Sequence, residues 1–373
     1  MKVGIVGLPN VGKSTLFNCL SQNKAQSENY PFCTIDPNVS IVNVPDLRLD
    51  KLSSLINPQK LIPTTVKIVD IAGLVKGASK GEGLGNKFLS NIRETDAIIH
   101  VLRCFDDPNI VHVDGRINPL SDKEVVEYEL ILKDIEIIEK RLDKIKKTLR
   151  SGSNESKKEI DILEKVLNQL QNMSVSRFDF SNDQFEEFIK PLELISFKPI
   201  LYVCNVGEND VTDGNSYVED VKREIENKDS EVIIISAKIE SEINELDSVE
   251  EKKIFLEDLG LKESGSNKLI RASYKLLNLH SYFTAGEKEV RGWTIKIGDS
   301  AYDAAGQIHS DFQKGFICAE VISYKDYIEY GSEIKVKEAG KMRLEGKDYV
   351  VSDGDIMHFR FNIKYIYKNG EYI

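Results

Sequence analysis

Residues 7–15 have the residue types and the spacing of a phosphate-binding loop. Their sequence, Gly-Leu-Pro-Asn-Val-Gly-Lys-Ser-Thr, fits the pattern G-x-x-x-x-G-K-[ST]. It follows an apolar, strand-like run at 3–6 and precedes an apolar helix start at 15–17. Backbone N–H groups at the start of a helix form a partly positive cradle for phosphate oxygens. The chemistry predicted here is therefore the binding of a nucleoside polyphosphate.

Two side chains of this segment have chemistry beyond the cradle. The Lys13 ammonium is expected to reach the β- and γ-phosphates, and the Ser14 hydroxyl is expected to bind Mg²⁺. Glycine at positions 7 and 12 lets the backbone wrap closely around the ligand. The candidate nucleotide-binding residues of the segment are Asn10, Val11, Gly12, Lys13, Ser14 and Thr15.

Two further motifs supply candidate ligands for the metal and the γ-phosphate. Thr34 lies in a polar loop at 28–38 and is expected to close over Mg²⁺, the alternative being an ordinary surface turn. A strand-like run at 66–71 ends in D-x-x-G, where Asp70 would hold Mg²⁺ through water. The Gly73 N–H would then sense the γ-phosphate.

The Gln that orients the attacking water in Ras-type GTPases is replaced here by Leu74. Because Leu neither donates nor accepts a hydrogen bond, another group or an ion must position that water.

The glycine-rich residues 75–85 are predicted to form a mobile switch loop that orders around a triphosphate. His112 follows a buried strand and is a candidate to swing toward the γ-phosphate; an ordinary loop residue is the alternative. His100, inside that strand, is predicted to be a core histidine with a hydrogen-bonded ring.

The sequence after the strand-like run at 199–204 bears on which base is bound. It reads Asn205-Val-Gly-Glu208 where GTPases have N-K-x-D, whose Asp binds the guanine N1–H and exocyclic amine. The Lys is absent and Glu is one methylene longer than Asp, so guanine selection is expected to be weak. Asn205 suits adenine, because an Asn amide pairs with adenine N6 and N7. Residues 233–238 resemble the last base-side strand and loop of a GTPase, or else are a plain strand. The candidate base-site residues are Asn205, Val206, Glu208, Ser236 and Ala237.

Length, charge and cysteine usage limit the class of protein. A chain of 373 residues exceeds one hydrophobic core, which predicts two or three domains. The net charge of −11 argues against indiscriminate nucleic-acid binding. No apolar run approaches the ~20 residues of a membrane helix, and a strand from residue 2 is expected to leave no room for a signal peptide. Five cysteines without metal-ligand spacing are expected to be reduced, which predicts a cytoplasmic protein. They are Cys19, Cys33, Cys104, Cys204 and Cys318.

A long helical insertion is predicted between the two halves of the nucleotide-binding region. Apolar residues spaced alternately by four and three predict a coiled-coil hairpin that breaks at 151–154. Its seam comprises Ile131, Ile135, Ile138, Leu142, Ile145 and Leu149, then Ile160, Leu163, Leu167 and Leu170. The tip, residues 140–158, has eight Lys or Arg against two acids, an excess of six positive charges. That excess favours a phosphate-bearing partner such as ribosomal RNA, with a solvated helix face as the alternative.

The C-terminal part is predicted to be a small α+β domain. A linker is predicted at 261–267, followed by a helix at 268–277. Beyond it, short alternating strands with helices between them are typical of this class. The predicted strands are 281–284, 294–297, 319–322, 333–336 and 357–361, and the predicted helices are 301–308 and 324–329.

Together these motifs resemble the YchF/Obg-like ATPase family of P-loop proteins related to translation factors, over nearly the whole chain. The most distinctive match is residues 81–93, Gly-Glu-Gly-Leu-Gly-Asn-Lys-Phe-Leu-Ser-Asn-Ile-Arg. The other matching segments are 7–15, 29–38, 70–78, 205–208 and 351–361. The resemblance implies an α/β P-loop NTPase fold of GTPase type with a mostly parallel sheet. It also implies an inserted antiparallel coiled-coil hairpin and a C-terminal TGS domain of β-grasp type.

The expected domain organisation follows from the same resemblance. It comprises a nucleotide-binding domain at 1–125 and 195–277, a helical insertion at 126–194, the TGS domain at 278–363 and a tail at 364–373.

The resemblance further implies Mg²⁺ dependence, ATP preferred over GTP, and association with the ribosome through its large subunit and rRNA. His112 matches a loop histidine proposed to replace the missing Gln, and Asn10 matches an Asn that coordinates K⁺ in cation-dependent relatives. Gly207 departs from the family, since many relatives have a polar residue there, and is expected to loosen the base-side loop.

The predicted function is ATP hydrolysis as a conformational switch. Slow intrinsic turnover is expected, because no catalytic Gln or arginine finger is recognisable. The alternatives are a genuine GTPase and a nucleotide-gated binding module that scarcely hydrolyses. Neither a membrane nor DNA is expected as a partner. The predicted catalytic residues are Lys13, Gly73 and His112, and the predicted Mg²⁺ ligands are Ser14, Thr34 and Asp70.

Overall fold

The computed structural model describes residues 1–22, 38–71, 84–110, 115–148, 154–172, 181–225 and 230–362. These residues form two compact units. Unit 1 contains the described residues 1–22, 38–40 and 67–269, and unit 2 contains 41–66 and 270–362. Residues 41–66, which the sequence assigned to the nucleotide-binding domain, thus belong to the unit that holds the C-terminal part.

The described residues contain twelve strands and fourteen α-helices. The strands are β1 (Lys2–Val6), β2 (Val39–Asn43), β3 (Lys60–Ile62), β4 (Thr65–Asp70), β5 (Ala97–Cys104), β6 (Ile200–Val206), β7 (Val232–Ile235), β8 (Leu279–Ala285), β9 (Glu289–Lys296), β10 (Phe316–Ile322), β11 (Arg343–Glu345) and β12 (Ile356–Phe361). The helices are α1 (Lys13–Gln22), α2 (Leu47–Ile56), α3 (Leu84–Arg93), α4 (Pro119–Thr148), α5 (Asn154–Gln171), α6 (Asn182–Gln184), α7 (Ser216–Ile225), α8 (Ala237–Glu245), α9 (Val249–Asp258), α10 (Gly265–Leu276), α11 (Ala301–Ile308), α12 (Ser310–Lys314), α13 (Tyr324–Tyr330) and α14 (Glu333–Glu338). A π-helical turn (Phe185–Ile189) and two 3₁₀ turns (Lys190–Leu192 and Glu208–Asp210) complete the set.

The first sheet is the scaffold of unit 1 and has the strand order β2-β4-β1-β5-β6-β7. Strand β1 pairs in parallel with β4 and β5, β5 pairs in parallel with β6, and β6 with β7. Every residue of β5 is buried, as expected for a parallel strand covered on both faces. The predicted mostly parallel α/β sheet is confirmed.

The carboxyl ends of these parallel strands lie at one edge of the sheet, which is where open α/β sheets bind their ligands. Strand β1 leads into residues 7–12, and β4 ends at Asp70. Strands β5, β6 and β7 lead into 105–110, 207–210 and Ser236. The topology therefore brings the predicted phosphate and base residues to the same edge.

The predicted helical insertion consists of α4 and α5, which pack against each other. Within the predicted seam, Ile135, Ile160 and Leu167 are only partly buried, whereas Ile162 and Val166 outside it are fully buried. Leu149 lies outside the described residues. The apolar stripe therefore faces the contact between the two helices, turned slightly on α5 from its predicted position. The fully buried residues of the two helices are Ile131, Ile138, Leu142, Ile145, Ile162, Leu163, Val166 and Leu170.

A buried carboxylate fastens α4 to the segment that leads back to the sheet. Asp134 accepts hydrogen bonds from the Ile195 N–H (2.8 Å), the Ser196 N–H (2.7 Å) and the Ser196 hydroxyl (2.5 Å). Burial raises the pKa of Asp134, and these hydrogen bonds act in the opposite direction. The insertion is thus anchored at its base by a polar contact as well as by packing.

Several basic side chains of the tip are paired with acids of the same insertion. Arg141 lies 2.6 Å from Glu159 and Lys146 lies 2.7 Å from Glu164, while Lys140 pairs with Glu136. All three acids lie outside the 140–158 window over which the charge was counted. The Lys140–Glu136 and Lys146–Glu164 pairs are exposed, and exposed ion pairs of this kind contribute little to stability.

The second sheet, in unit 2, has the order β11-β10-β12-β8-β9-β3. It mixes antiparallel pairs, such as β8 with β9, and parallel pairs, such as β3 with β9. One buried cluster joins Tyr282, Val321 and Phe359 to the alanines of α11. A second cluster joins Phe283 and Ile356 to α2 and α13. The helices predicted at 301–308 and 324–329 are present as α11 and α13.

One predicted strand of the C-terminal part is wrong, because residues 333–336 open helix α14. The sequence Glu-Ile-Lys-Val alternates polar and apolar residues, which is typical of a strand. However, only Val336 of these four residues is buried, and Ile334 is exposed. The Ser332 hydroxyl accepts a hydrogen bond from the Lys335 N–H and caps the helix. The helix cap at Ser332 therefore had more influence on this segment than its alternation of polar and apolar residues.

The predicted linker at 261–267 is also wrong at its end, because α10 begins at Gly265. The buried Glu240 carboxylate of α8 accepts hydrogen bonds from the Gly265 N–H (2.7 Å) and the Ser266 N–H (3.0 Å). An anion at a helix N-terminus accepts hydrogen bonds from the free N–H groups there, and the partial positive charge of that end of the helix attracts it. A residue far away in the sequence thus converts a polar, glycine-containing stretch into a helical turn.

His100 lies in the core of unit 1, as predicted, but its ring is not fully hydrogen-bonded. Its Nε2 atom has no partner among the described residues. Burial lowers the pKa of His100 to about 4, so the imidazole is neutral at physiological pH.

Four cysteines are free thiols, as predicted: Cys19, Cys104, Cys204 and Cys318. Cys33 lies outside the described residues. Within the described part of the chain, no helix combines the length and the apolar character required to cross a bilayer.

Candidate nucleotide-binding site

The phosphate loop is held in a tight turn between β1 and α1. Gly12 has φ of +91°, and a Cβ atom there would lie 2.2 Å from Asn205 Nδ2. A Cβ atom at Gly7 would lie 2.8 Å from the Val101 carbonyl oxygen. Asn10 also adopts a positive φ, 63°, which Asn tolerates better than most residues. Both glycines of the motif are therefore required by close contacts, Gly7 with β5 and Gly12 with Asn205 near the end of β6.

Lys13 is the first residue of α1, and its side chain is buried, with 8% of the residue exposed. Its ammonium forms an ion pair with the Asp70 carboxylate at the end of β4. A buried cation at a helix N-terminus is disfavoured by desolvation and by the helix dipole. It therefore requires an anion beside it, and Asp70 provides one. A bound phosphate would be an anion of higher charge at the same position.

The Ser14 hydroxyl and the Asp70 carboxylate lie near Lys13 and suit a small divalent cation that also binds phosphate oxygens. The exposed Ser14 follows the buried Lys13 in the first turn of α1, and the Lys13–Asp70 contact brings this turn to the Asp70 carboxylate. Hydroxyl and carboxylate oxygens are hard ligands, and Mg²⁺ commonly combines one or two of them with phosphate oxygens and water. Among the described residues, no group of three His, Cys, Asp or Glu side chains forms a separate metal cage.

Asn205 braces the phosphate loop, a role that its sequence motif did not predict. Its amide nitrogen donates to the Val11 carbonyl (2.8 Å), and its amide oxygen accepts from the Ala237 N–H (2.9 Å). The residue is only 4% exposed. Asn205 thus links the phosphate loop to the loop after β7. These two bonds leave one hydrogen of its NH₂ group and one lone pair of its oxygen unused.

The other candidate base-site residues lie around Asn205. Ser236 is buried and caps α8, with its hydroxyl accepting from the Ile239 N–H. Val206 is buried in β6. The Glu208 carboxylate is paired with the Lys238 ammonium, and this contact raises the pKa of Lys238. These residues therefore lie close together, with Lys238 beside Glu208, and their role in binding a base stays a prediction.

A second residue missed by sequence reasoning is Arg103, near the end of β5. Its guanidinium is buried and donates to the carbonyls of Phe105 (3.2 Å), Asp107 (3.3 Å) and Ile110 (3.0 Å). Arg103 therefore fixes the loop that follows β5. The sequence did contain a sign of this role, because Arg103 is a charged residue that follows an otherwise apolar run. Such a residue is buried only when its hydrogen-bond donors are satisfied.

Three predicted site residues lie outside the described residues, namely Thr34, Gly73 and His112. Leu74, in the catalytic Gln position, lies outside them too. Their roles remain predictions.

Two family models match the chain. The model described as 50S ribosome-binding GTPase matches residues 2–141. The model YchF-GTPase_C, described as a protein of unknown function, matches residues 279–362.

Proteins named ribosome-binding ATPase YchF are similar to the chain along its whole length. The Bacillus subtilis protein is 54% identical over 97% of this chain and 100% of its own. The Escherichia coli O157:H7 protein is 52% identical over 97% of this chain and 99% of its own. A solved structure, the Schizosaccharomyces pombe YchF GTPase, is 40% identical with a TM-score of 0.87, covering 96% of this chain and 97% of that one.

Proposed function

The chain belongs to the YchF family, and on that premise we propose that it is a ribosome-binding P-loop ATPase. In this proposal, ATP binding and hydrolysis switch its conformation and thereby its interaction with the ribosome. The observation that carries the proposal is the ion pair between the buried Lys13 at the start of α1 and the partly buried Asp70. It supplies a cation and a carboxylate where a triphosphate and its metal ion require them. A cytoplasmic location follows from a ribosomal partner.

The hydrolytic role of these residues is electrostatic. When a nucleotide binds, the Lys13 ammonium moves from Asp70 to the β- and γ-phosphates, and the Asp70 carboxylate becomes free. Ser14 and Asp70 would then hold Mg²⁺, Asp70 through water, with Thr34 as a further ligand; the ion supplies neutralisation of phosphate charge. Lys13 stabilises the charge that develops on the transferred phosphoryl group. In the same proposal, the Gly73 N–H senses the γ-phosphate and the His112 side chain positions the attacking water. K⁺ bound near Asn10 acts as an activating cation.

The base preference proposed is ATP over GTP. The motif lacks the Lys of N-K-x-D and has Glu208 in place of Asp. Asn205 retains one donor and one acceptor position for adenine after bracing the loops. The relatives' names differ on this point, since the curated relatives are named ATPases and the solved structure is named a GTPase.

Nucleotide titration and phosphate release test this assignment together. We expect a lower dissociation constant for MgATP than for MgGTP, and slow phosphate release at saturating ATP that rises when ribosomes and K⁺ are added. A clear preference for GTP would make the protein a genuine GTPase. Tight ATP binding with no phosphate release under any of these conditions would make it a nucleotide-gated binding module.

The ribosomal contact proposed is between the basic tip of the insertion and rRNA of the large subunit. The described part of the tip is the end of α4 and the start of α5, where Lys144, Lys147, Lys157 and Lys158 add four positive charges to those of Lys140, Arg141 and Lys146. Phosphate groups along RNA attract such a cluster in a strongly salt-dependent manner.

Charge reversal at the tip tests the rRNA contact. We expect the triple substitution of Lys144, Lys146 and Lys147 by Glu to reduce ribosome co-sedimentation by at least tenfold at low salt, with a shallower salt dependence. Replacing Lys335, Lys337 and Lys341 of unit 2 by Glu provides a control with the same charge change. Unaltered co-sedimentation of the tip variant would assign the tip to an ordinary solvated helix face.

A further inference from the structure

Lys238 and Glu208 form an ion pair at the base side of the nucleotide site. Lys238 is the second residue of α8, and Glu208 is the first residue of the 3₁₀ turn after β6. The Lys238 ammonium contacts the Glu208 Oε1 atom. Smaller attractions to Lys238 come from the carboxylates of Glu242 and Asp107. Glu208 is thus the acid that Lys238 contacts directly.

The position of this pair is set by the core of unit 1. Strands β6 and β7 are parallel neighbours, with Asn205 opposite Ile235. The 2.9 Å hydrogen bond from the Ala237 N–H to Asn205 Oδ1 then fixes the loop after β7 against the end of β6. Glu208 lies three residues beyond Asn205, and Lys238 lies one residue beyond Ala237. The contact therefore lies next to the residues proposed to bind the base.

The two purine bases make different demands on Glu208. Guanine presents two N–H donors, from N1 and the exocyclic amine, which a free carboxylate accepts as a matched pair. Adenine presents one exocyclic donor and an unprotonated N1, so it has no such pair of donors to offer. An ammonium on the carboxylate therefore competes with guanine for the same lone pairs and does not compete with adenine in this way.

We propose that Lys238 is a specificity-determining residue, which disfavours GTP relative to ATP by occupying the Glu208 carboxylate. The proposal rests on the proposed purine-nucleotide site, but not on which nucleotide binds more tightly in the native protein. It gives a positive reason for weak guanine binding in addition to the altered motif. A site that lacks its guanine acceptor discriminates against guanine because the N–H donors of the bound base are left unpaired.

The expected size of the effect follows from exposure. The Lys238 and Glu208 side chains are 70% and 43% exposed, and exposed ion pairs change equilibrium constants by at most about fivefold. We therefore expect removal of the Lys238 charge to lower the ratio of the GTP to the ATP dissociation constant by about two- to fivefold. High salt is expected to lower the same ratio in the native protein, because salt screens the pair.

The experiment is a competition titration of MgATP and MgGTP against the full-length chain and its Lys238→Met variant. Met keeps the apolar stem of the side chain, so packing of the stem is largely retained while the charge is lost. Lys253→Met is the matched control, because Lys253 is a similarly exposed lysine (75%) in an ion pair with Glu257 on α9. A Glu208→Gln background completes a double-mutant cycle, which isolates the contribution of the pair.

The proposal is supported if the ratio of the GTP to the ATP dissociation constant falls in Lys238→Met and stays constant in Lys253→Met. It also requires that Lys238→Met leave this ratio unchanged when Glu208→Gln is present. A ratio unchanged within twofold in Lys238→Met overturns the proposal. An equal change in the Glu208→Gln background also overturns it, because Lys238 would then act without Glu208. A native protein that prefers GTP would contradict the proposed ATP preference while leaving this change in ratio measurable. Absence of all purine-nucleotide binding would overturn both.

Discussion

Replacing Lys13 by Met is expected to reduce the rate of ATP hydrolysis by about 10²- to 10³-fold, and to weaken ATP binding. The ammonium is the buried cation at the start of α1, and charge stabilisation by a preorganised group in a dry site is worth this much in catalysis. Met preserves the length and apolar character of the stem, so the loss reports on the charge. Phosphate release under single-turnover conditions and nucleotide titration measure the two effects separately.

The same substitution has a consequence for the protein without nucleotide. The Asp70 side chain is only 19% exposed, and it would lose its partner. The free energy of unfolding is therefore expected to fall by about 1–3 kcal/mol, the usual cost of leaving a buried polar group unsatisfied. Lys67→Met is a suitable control, because Lys67 is an exposed lysine on the same strand, β4. A Lys13→Met protein that hydrolyses ATP at the native rate would refute the assignment of this loop.

Replacing Asn205 by Ala is expected to weaken binding of both ATP and GTP by about 10- to 100-fold. The substitution removes the partners of the Val11 carbonyl and the Ala237 N–H, and each buried group left unsatisfied costs about 1–3 kcal/mol. Because Val11 belongs to the phosphate loop, the loss is expected for both nucleotides. A residue that served only to read adenine would instead affect ATP alone. Titration of both nucleotides distinguishes these outcomes.

A matched control for this substitution is Asn215→Ala. The Asn215 amide donates to the Cys104 carbonyl (2.8 Å), and its oxygen accepts from the Val218 N–H (3.2 Å). Its amide also donates to the Asp210 carboxylate (2.8 Å) at the end of the 3₁₀ turn. It therefore makes the same kinds of contact as Asn205 in unit 1, with one more acceptor, and does not touch the phosphate loop. We expect both variants to lose stability, and only Asn205→Ala to lose nucleotide affinity. Equal nucleotide affinities in the two variants would show that the Asn205 link does not support the loop.

The chemistry of the phosphate site was predictable from sequence, because it depends on residues that are close along the chain. Gly12, Lys13 and Ser14 are consecutive, and the roles proposed for them follow from one strand, one tight turn and one helix start. Asp70 was predictable for a related reason, since parallel strands bring their carboxyl ends to one edge. The seam of α4 was predictable from the helical period, which places Ile131, Ile138 and Leu142 on one face.

Contacts between residues distant in sequence were decided only by the tertiary structure. Asn205 reaches Val11 across 194 residues, which gives the base motif a second role in the phosphate loop. Glu240 caps α10 across 25 residues, and the end of the predicted linker is therefore helical. Arg103 is stable in the core because three backbone carbonyls converge on its guanidinium. In each case a buried polar group must find partners, and local pattern carries no information about a partner supplied by another element. Motif and period therefore determined the class of chemistry, whereas packing determined which side chains hold the site in place.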